Sequence, residues 1–306
     1  MISSSGVDKG IMLGGNQRGR KEDTAPVPIL QNASIQDRKR LLELFSIASI
    51  KESWPDIKGT KEEICFAVAE QAQPAAVVTF MNMHMGRCKQ HVYIFNRTPQ
   101  TALPNTIIGG ERVHTIGNDT ALYVVRTSYS VVLKDPLEET ELDFLWPIKI
   151  QLKPEHVIVH FVAMEKNVSS YVDRQCYVVK KSIEEKTVLE DLHFVNLAPA
   201  DIHRGIKTLW NNGFMDSPRA KFKKPKSLAM EAMDEELGIR EYYPELYEVL
   251  QDSVLLNTLF VIPDEQECDV SAFLADCAHG YLAFPRYSEG EKDVDFVVNE
   301  ILGHNQ

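Results

Sequence analysis

The stretch FLWPIKIQLKPEHVIVHF, residues 144–161, decides the fold. Phe144, Trp146, Ile148, Ile150 and Leu152 fall at every second position, and after Lys153-Pro154 the alternation resumes at Val157, Val159 and Phe161. Successive side chains of a strand point to opposite faces, so this period predicts two antiparallel strands joined by a turn, each with one buried and one more polar face. Upstream, residues 91–95, 112–116 and 122–133 are rich in β-branched and aromatic residues, and Gly117-Asn118-Asp119 supplies hairpin chemistry between the last two. Residues 77–80 and 176–180 read as further strands. About seven strands is enough for a sheet or half-barrel.

Helical spacing flanks this region. Leu41, Leu44, Phe45 and Ala48 repeat behind a possible N-cap at Ser34, predicting a helix to about residue 50. Trp54-Pro55 and Lys58-Gly59 mark a loop, and Thr60-Lys-Glu-Glu63 is a capping box opening a second helix to about residue 73. After Pro199-Ala-Asp201 a helix carries Ile202, Ile206, Leu209 and Trp210 on one face and ends at Gly213; residues 244–260, 270–278 and 294–302 read as further helices. The expectation is an α+β chain: a central antiparallel β-sheet or half-barrel, an N-terminal helical pair and an acidic helical C-terminal region. Its parts are a flexible tail (1–30), a helical module (31–74), a β-rich domain (75–198) and a helical region (199–306) holding a basic patch at 203–226.

The net charge of −11 over 306 residues argues at first against a nucleic-acid partner. The average conceals an asymmetry. From Glu231 onward 18 acidic residues face three basic ones, a net of −15, which leaves +4 for residues 1–230. Residues 203–226 hold Arg204, Lys207, Arg219, Lys221, Lys223, Lys224 and Lys226 against the single acid Asp216. The five cysteines are scattered, without the C-x-x-C spacing of a zinc or redox pair, and read as reduced thiols. The start shows no secretory pattern, and no apolar run reaches the roughly 20 residues of a membrane span, so the expected compartment is the cytoplasm or nucleus.

Two segments resemble nucleic-acid-binding modules. Leu41-Leu42-Glu-Leu44 and Gly59-Thr60-Lys-Glu-Glu63-Ile64 look like the SAP-type helix-extended-helix module found on DNA-associated proteins; the same residues also suit an ordinary helical hairpin packed on the sheet. The helix ending Leu209-Trp210-Asn-Asn-Gly213-Phe214, followed by Arg219-Ala-Lys-Phe222-Lys-Lys224, looks like the last helix and wing of a winged helix, although the two supporting helices are not evident upstream. That resemblance implies helix side chains in a groove and wing cations on phosphates. Arg204, Lys207 and Asn211 share one helix face by i, i+3, i+7 spacing. The candidate binding residues are Arg204, Lys207, Asn211, Arg219, Lys221, Lys223, Lys224 and Lys226; the bland alternative is a solvated basic loop.

The sequence lacks the G-x-S-x-G, P-loop and H-E-x-x-H patterns, and no cofactor or metal site is expected. His156 and His160 share a strand face but lie ~13 Å apart, too far to share a metal. Met81, Met83 and Met85 around His84 read as packing residues rather than a copper site. Asp173 with Glu184-Glu185-Lys186 is the one enzyme candidate, a metal-dependent nuclease reading. The expected function is a non-enzymatic nucleic-acid-binding or adaptor subunit. The competing reading is a protein-interaction subunit whose acidic C-terminal region docks a partner.

Overall fold

The computed structural model describes residues 28–134, 137–164, 176–223, 229–233 and 238–306. In chain order its strands are β1 (Gln90–Asn96), β2 (Thr106–Ile107), β3 (Gly110–Ile116), β4 (Thr120–Lys134), β5 (Leu137–Leu152), β6 (His156–Val162), β7 (Cys176–Lys181), β8 (Asp216–Lys223), β9 (Ala229–Met233), β10 (Val254–Leu255), β11 (Thr258–Val261), β12 (Ala272–Asp276) and β13 (Tyr281–Phe284). The helices are α1 (Pro28–Gln31), α2 (Ile35–Glu43), α3 (Ile47–Ser53), α4 (Lys61–Gln71), α5 (Pro74–His84), α6 (Glu185–Asp191), α7 (His203–Asn211), α8 (Ile239–Tyr242), α9 (Pro244–Gln251) and α10 (Val294–Gly303). All strand pairings are antiparallel, in one open sheet of order β10-β8-β11-β12-β13-β1-β6-β5-β4-β3-β2, with β7 beside β4 and β9 beside β8. The α+β class and the central antiparallel sheet are thus as expected, and the hairpins at Gly117 and Lys153-Pro154 form where the turn residues placed them. No helix among the described residues is long and apolar enough to cross a membrane.

Both faces of the central strands are buried. On one, Leu41, Ile64, Val68 and Phe80 of the N-terminal helices and Phe45 between α2 and α3 pack against Trp146, Ile148, Val159 and Phe161. On the other, Ile206, Leu209 and Trp210 of α7 and Val297, Val298 and Ile301 of α10 pack against Val92, Ile94, Ile158, Phe260 and Phe273. The more polar face expected for β5 and β6 is therefore covered by a helix. Lys149 and His160 on that face are 6% and 0% exposed, and the Lys149 ammonium is held by both carboxylate oxygens of Asp295 in the first turn of α10 (2.5 and 2.7 Å). Helix α7 reaches α10 through Gly205, where a Cβ would stand 2.0 Å from the Ile301 carbonyl oxygen. Only a hydrogen there permits the approach.

Several boundaries differ from expectation. The single helix expected over residues 34–50 is two, α2 and α3, because the Ser46 hydroxyl accepts from the Ser49 N–H (3.1 Å) and starts a new cap. Residues 77–80, expected as a strand, lie within α5. Pro74 at its first turn and the 3.6-period burial of Val77, Phe80, Met81 and His84 outweigh the β-propensity of Val77 and Val78. Pro28, Ile29 and Leu30, expected within the tail, belong to α1 and bury Leu30; residues 1–27 lie outside the described residues. The helix expected over 244–260 stops at Gln251 and gives way to β10 and β11. The helix expected over 270–278 is strand β12, in which Phe273 and Ala275 point into the core and Leu274 points out. The acidic C-terminal region therefore supplies β10, β11, β12 and β13 as well as helices.

Candidate nucleic-acid interface

Strand β8 begins where α7 ends. Gly213 takes the left-handed conformation (φ +76°) and its N–H, with that of Phe214, donates to the Trp210 and Leu209 carbonyls, closing the helix. Asp216, the one acid in the basic segment, then turns inward. Its Oδ1 accepts from Trp210 Nε1 (2.8 Å) and from the backbone N–H groups of Ser217 (2.7 Å) and Arg240 (3.1 Å). This pins the start of β8 to α7 and α8, and period-two geometry does the rest. Ala220 and Phe222 enter the core shared with α7, so Arg219, Lys221 and Lys223 point the other way, ~7 Å from one to the next.

The basic segment expected as a loop or wing is thus a strand inside a sheet, with a fixed row of three cations on one face. No ion pair among the described residues engages Lys221 or Lys223; Glu231 of β9 stands opposite Lys221 in the register. Lys224 and Lys226 lie outside the described residues.

The sequence placed Arg204, Lys207 and Asn211 with these cations, but the structure does not bring the two groups together. Helix α7 packs on the opposite face of the sheet. Lys207 Nζ donates to the Gln251 and Ser253 carbonyls (2.5 and 2.9 Å) and closes the C-terminus of α9, and burial pushes its pKa down. Asn211 accepts from the Tyr247 hydroxyl, while Arg240 donates to the Trp210 and Asn211 carbonyls. Arg204 is exposed, and among the described residues no ion pair engages it. The helix-plus-wing surface implied by the winged-helix resemblance is absent from the described residues.

What the cation row does adjoin is a second feature. Register places Val254 beside Lys223 and Leu259 beside Arg219, then Leu274 beside Leu259, Ala283 beside Leu274 and His91 beside Ala283. The N-terminal helices share a core with this face of β6, β5 and β4, and α6 meets it at β1 through Glu185. Val254, Val261 and Leu274 are 41%, 39% and 37% exposed. The far margin is acidic: Glu185 of α6 accepts from the Tyr93 hydroxyl (2.7 Å) and meets His91 Nδ1 (2.8 Å), and Asp276 meets His279. Sequence reading missed the apolar strip because it took residues 244–260 and 270–278 as helices. The available signal was the β-rich run Thr258-Leu-Phe-Val261.

The remaining candidates fall elsewhere. Glu184 is the residue before α6, Glu185 is engaged as above, and Lys186 pairs with Glu190 (3.7 Å); Asp173 lies outside the described residues. Among the described residues no group of three or more His, Cys, Asp or Glu side chains is arranged to hold a metal ion. His160 contacts Gln90 and Gln151, and His84 contacts Ser53. Burial raises the thiols of Cys65, Cys88 and Cys277, that of Cys65 to about 12, which keeps them protonated and poor nucleophiles. No protein-family model matches the chain, and neither a curated protein nor a solved structure shows significant similarity to it.

Proposed function

We propose that the chain binds nucleic acid without acting on it chemically, through Arg219, Lys221 and Lys223 of β8, with Lys224 and Lys226 continuing the basic segment in sequence. The observation that carries this reading is the row itself. Three cations at alternate positions of a strand buried on its other side are held at fixed spacing; toward β10 and β11 their register neighbours Val254 and Leu259 are apolar, while on the β9 side Glu231 stands opposite Lys221. Contacts of this kind go to phosphates, so they position a strand without reading its sequence. The overall negative charge resides mainly in other segments, and a local basic row is what governs encounter at distances within the ~8–10 Å screening length of physiological salt. The test is binding of a labelled oligonucleotide by wild type and by the Arg219→Ala, Lys221→Ala, Lys223→Ala variant over a range of salt. Weaker binding in the variant, independent of base sequence, supports the reading, and equal binding opposes it.

A second reading, an adaptor that docks a basic protein, has its own observation. Glu241, Glu245 and Glu248 are exposed around Tyr242 and Tyr243, which are 51% and 43% exposed, an acidic and aromatic surface on α8 and α9. Co-purification of one basic partner, lost on replacing both tyrosines by serine, supports it.

A further inference from the structure

We infer that the ligand of the β8 face is a single-stranded rather than a duplex nucleic acid, its phosphates on the cation row and its bases laid over the apolar strip formed by Leu259, Val261 and Leu274. The inference rests on the reading above and adds the class of nucleic acid. Its first ground is shape. From β8 across β11 to β12 the open face is three strands wide, ~10 Å between the outer two at the usual strand spacing, and the sheet continues beyond it on both sides. The duplex major groove is about 12 Å wide and admits a helix or a two-stranded ribbon, not the flat face of a sheet. A duplex resting on this face would touch it with backbone alone.

The second ground is chemistry. A duplex backbone would press charged, hydrated phosphates onto Val261 and Leu274, which are 39% and 37% exposed and have nothing polar to offer. A single strand exposes the flat apolar faces of its bases, and proteins that bind single strands combine a basic track for the backbone with aromatic side chains on which bases stack; here Leu259, Val261 and Leu274 offer an aliphatic surface in that place. The face has this division. Cations lie along β8, with Glu231 of β9 opposite Lys221 on their outer side; apolar side chains occupy β11 and β12, and the carboxylates of Asp276 and Glu185 stand at the far margin, where they repel phosphate. Contiguous apolar surface on an otherwise charged protein marks a site of contact.

The experiment uses the full chain and fluorescence anisotropy with two labelled probes at one salt concentration. One is oligothymidylate of about 20 nucleotides, longer than the ~4–16 nucleotides that one sheet-type site occupies; the other is a blunt duplex of the same length. Oligothymidylate should bind at least about tenfold more tightly, a margin of about 1.4 kcal/mol. The variant Val261→Ser, Leu274→Ser alters only exposed side chains, and its folding is checked by thermal unfolding. It should lose most of that preference while keeping the wild-type salt dependence. Equal affinity for both probes, or a preference unchanged in the serine variant, overturns this inference and leaves phosphate binding by β8 standing. Failure of both probes to bind overturns the reading beneath it as well, and points to a polypeptide as the occupant.

Discussion

Replacing Asp295 by Asn tests how the sheet and α10 are held together. The carboxylate and amide have the same shape, so the change removes charge and little else. Lys149 is 6% exposed and its ammonium is bonded to both Asp295 oxygens, while His160 Nε2 lies 3.5 Å from one of them. Burial pushes the Asp295 carboxyl up, but the Lys149 ammonium beside it outweighs this and holds it at about 2, so the carboxylate is ionised at neutral pH. Breaking a buried pair by removing one partner costs ~3–5 kcal/mol, chiefly through the charge left behind. Two features place this case at the low end. The Asp295 side chain is 32% exposed, and Asp293 at the N-cap of α10 remains near Lys149 as a second anion. The expected loss is about 3 kcal/mol, measured by urea unfolding followed through tryptophan fluorescence. Adding Lys149→Met to Asp295→Asn should recover much of it, because no unpaired charge then stays buried. A loss under about 1 kcal/mol, the range of exposed pairs, would refute the reasoning.

His160 is 0% exposed and burial pushes its imidazole down to about 3. Unfolded histidine takes up a proton below about pH 6.5 while the folded one does not. Stability should therefore fall by ~1.4 kcal/mol per pH unit below that point, about 2 kcal/mol by pH 5. Asp295, with its depressed value, loses its contribution only below the unfolded carboxyl range near 4, outside this window. The variant His160→Gln should show a shallower slope between pH 6.5 and 5, and an unchanged slope assigns the dependence to other groups. Trp210→Ala should cost ~3–5 kcal/mol, since the indole is 0% exposed, packs on Tyr247 and Phe260 and gives its N–H to Asp216. Urea unfolding reads it, and a cost below about 1 kcal/mol would contradict the packing described.

The sheet was legible where alternation ran long. Residues 144–161 repeat every second position across two strands and a turn, and no helix fits that period. It failed where strands are short and buried. The run from Thr258 to Val261 has four residues, too few to separate a period of two from 3.6, and its neighbours in sequence, α9 and its acids, biased the reading toward helix. Residues 77–80 failed in the opposite direction, because Val77 and Val78 favour strands in isolation while burial of a whole helical stripe decides in context. Of the candidate site, the basic composition of residues 219–223 was legible and its face was not. Which way Lys221 points depends on Phe222 meeting a core built by β10, β11 and α7, elements far apart in sequence. Lys207 was misplaced for a related reason: its partners Gln251 and Ser253 lie more than 40 residues along the chain.

The central claim is that Arg219, Lys221 and Lys223 meet phosphates, and the salt dependence of binding tests it most directly. Each phosphate contact releases counterions, so the slope of log affinity against log salt changes by ~0.7 per contact on a single strand and ~0.9 on a duplex. The account predicts that the triple alanine variant binds oligothymidylate more weakly, with a slope flatter by about two units, and unfolds at nearly the wild-type temperature, since exposed charges contribute little to folding. Wild-type affinity with a wild-type slope in a folded triple variant would contradict it.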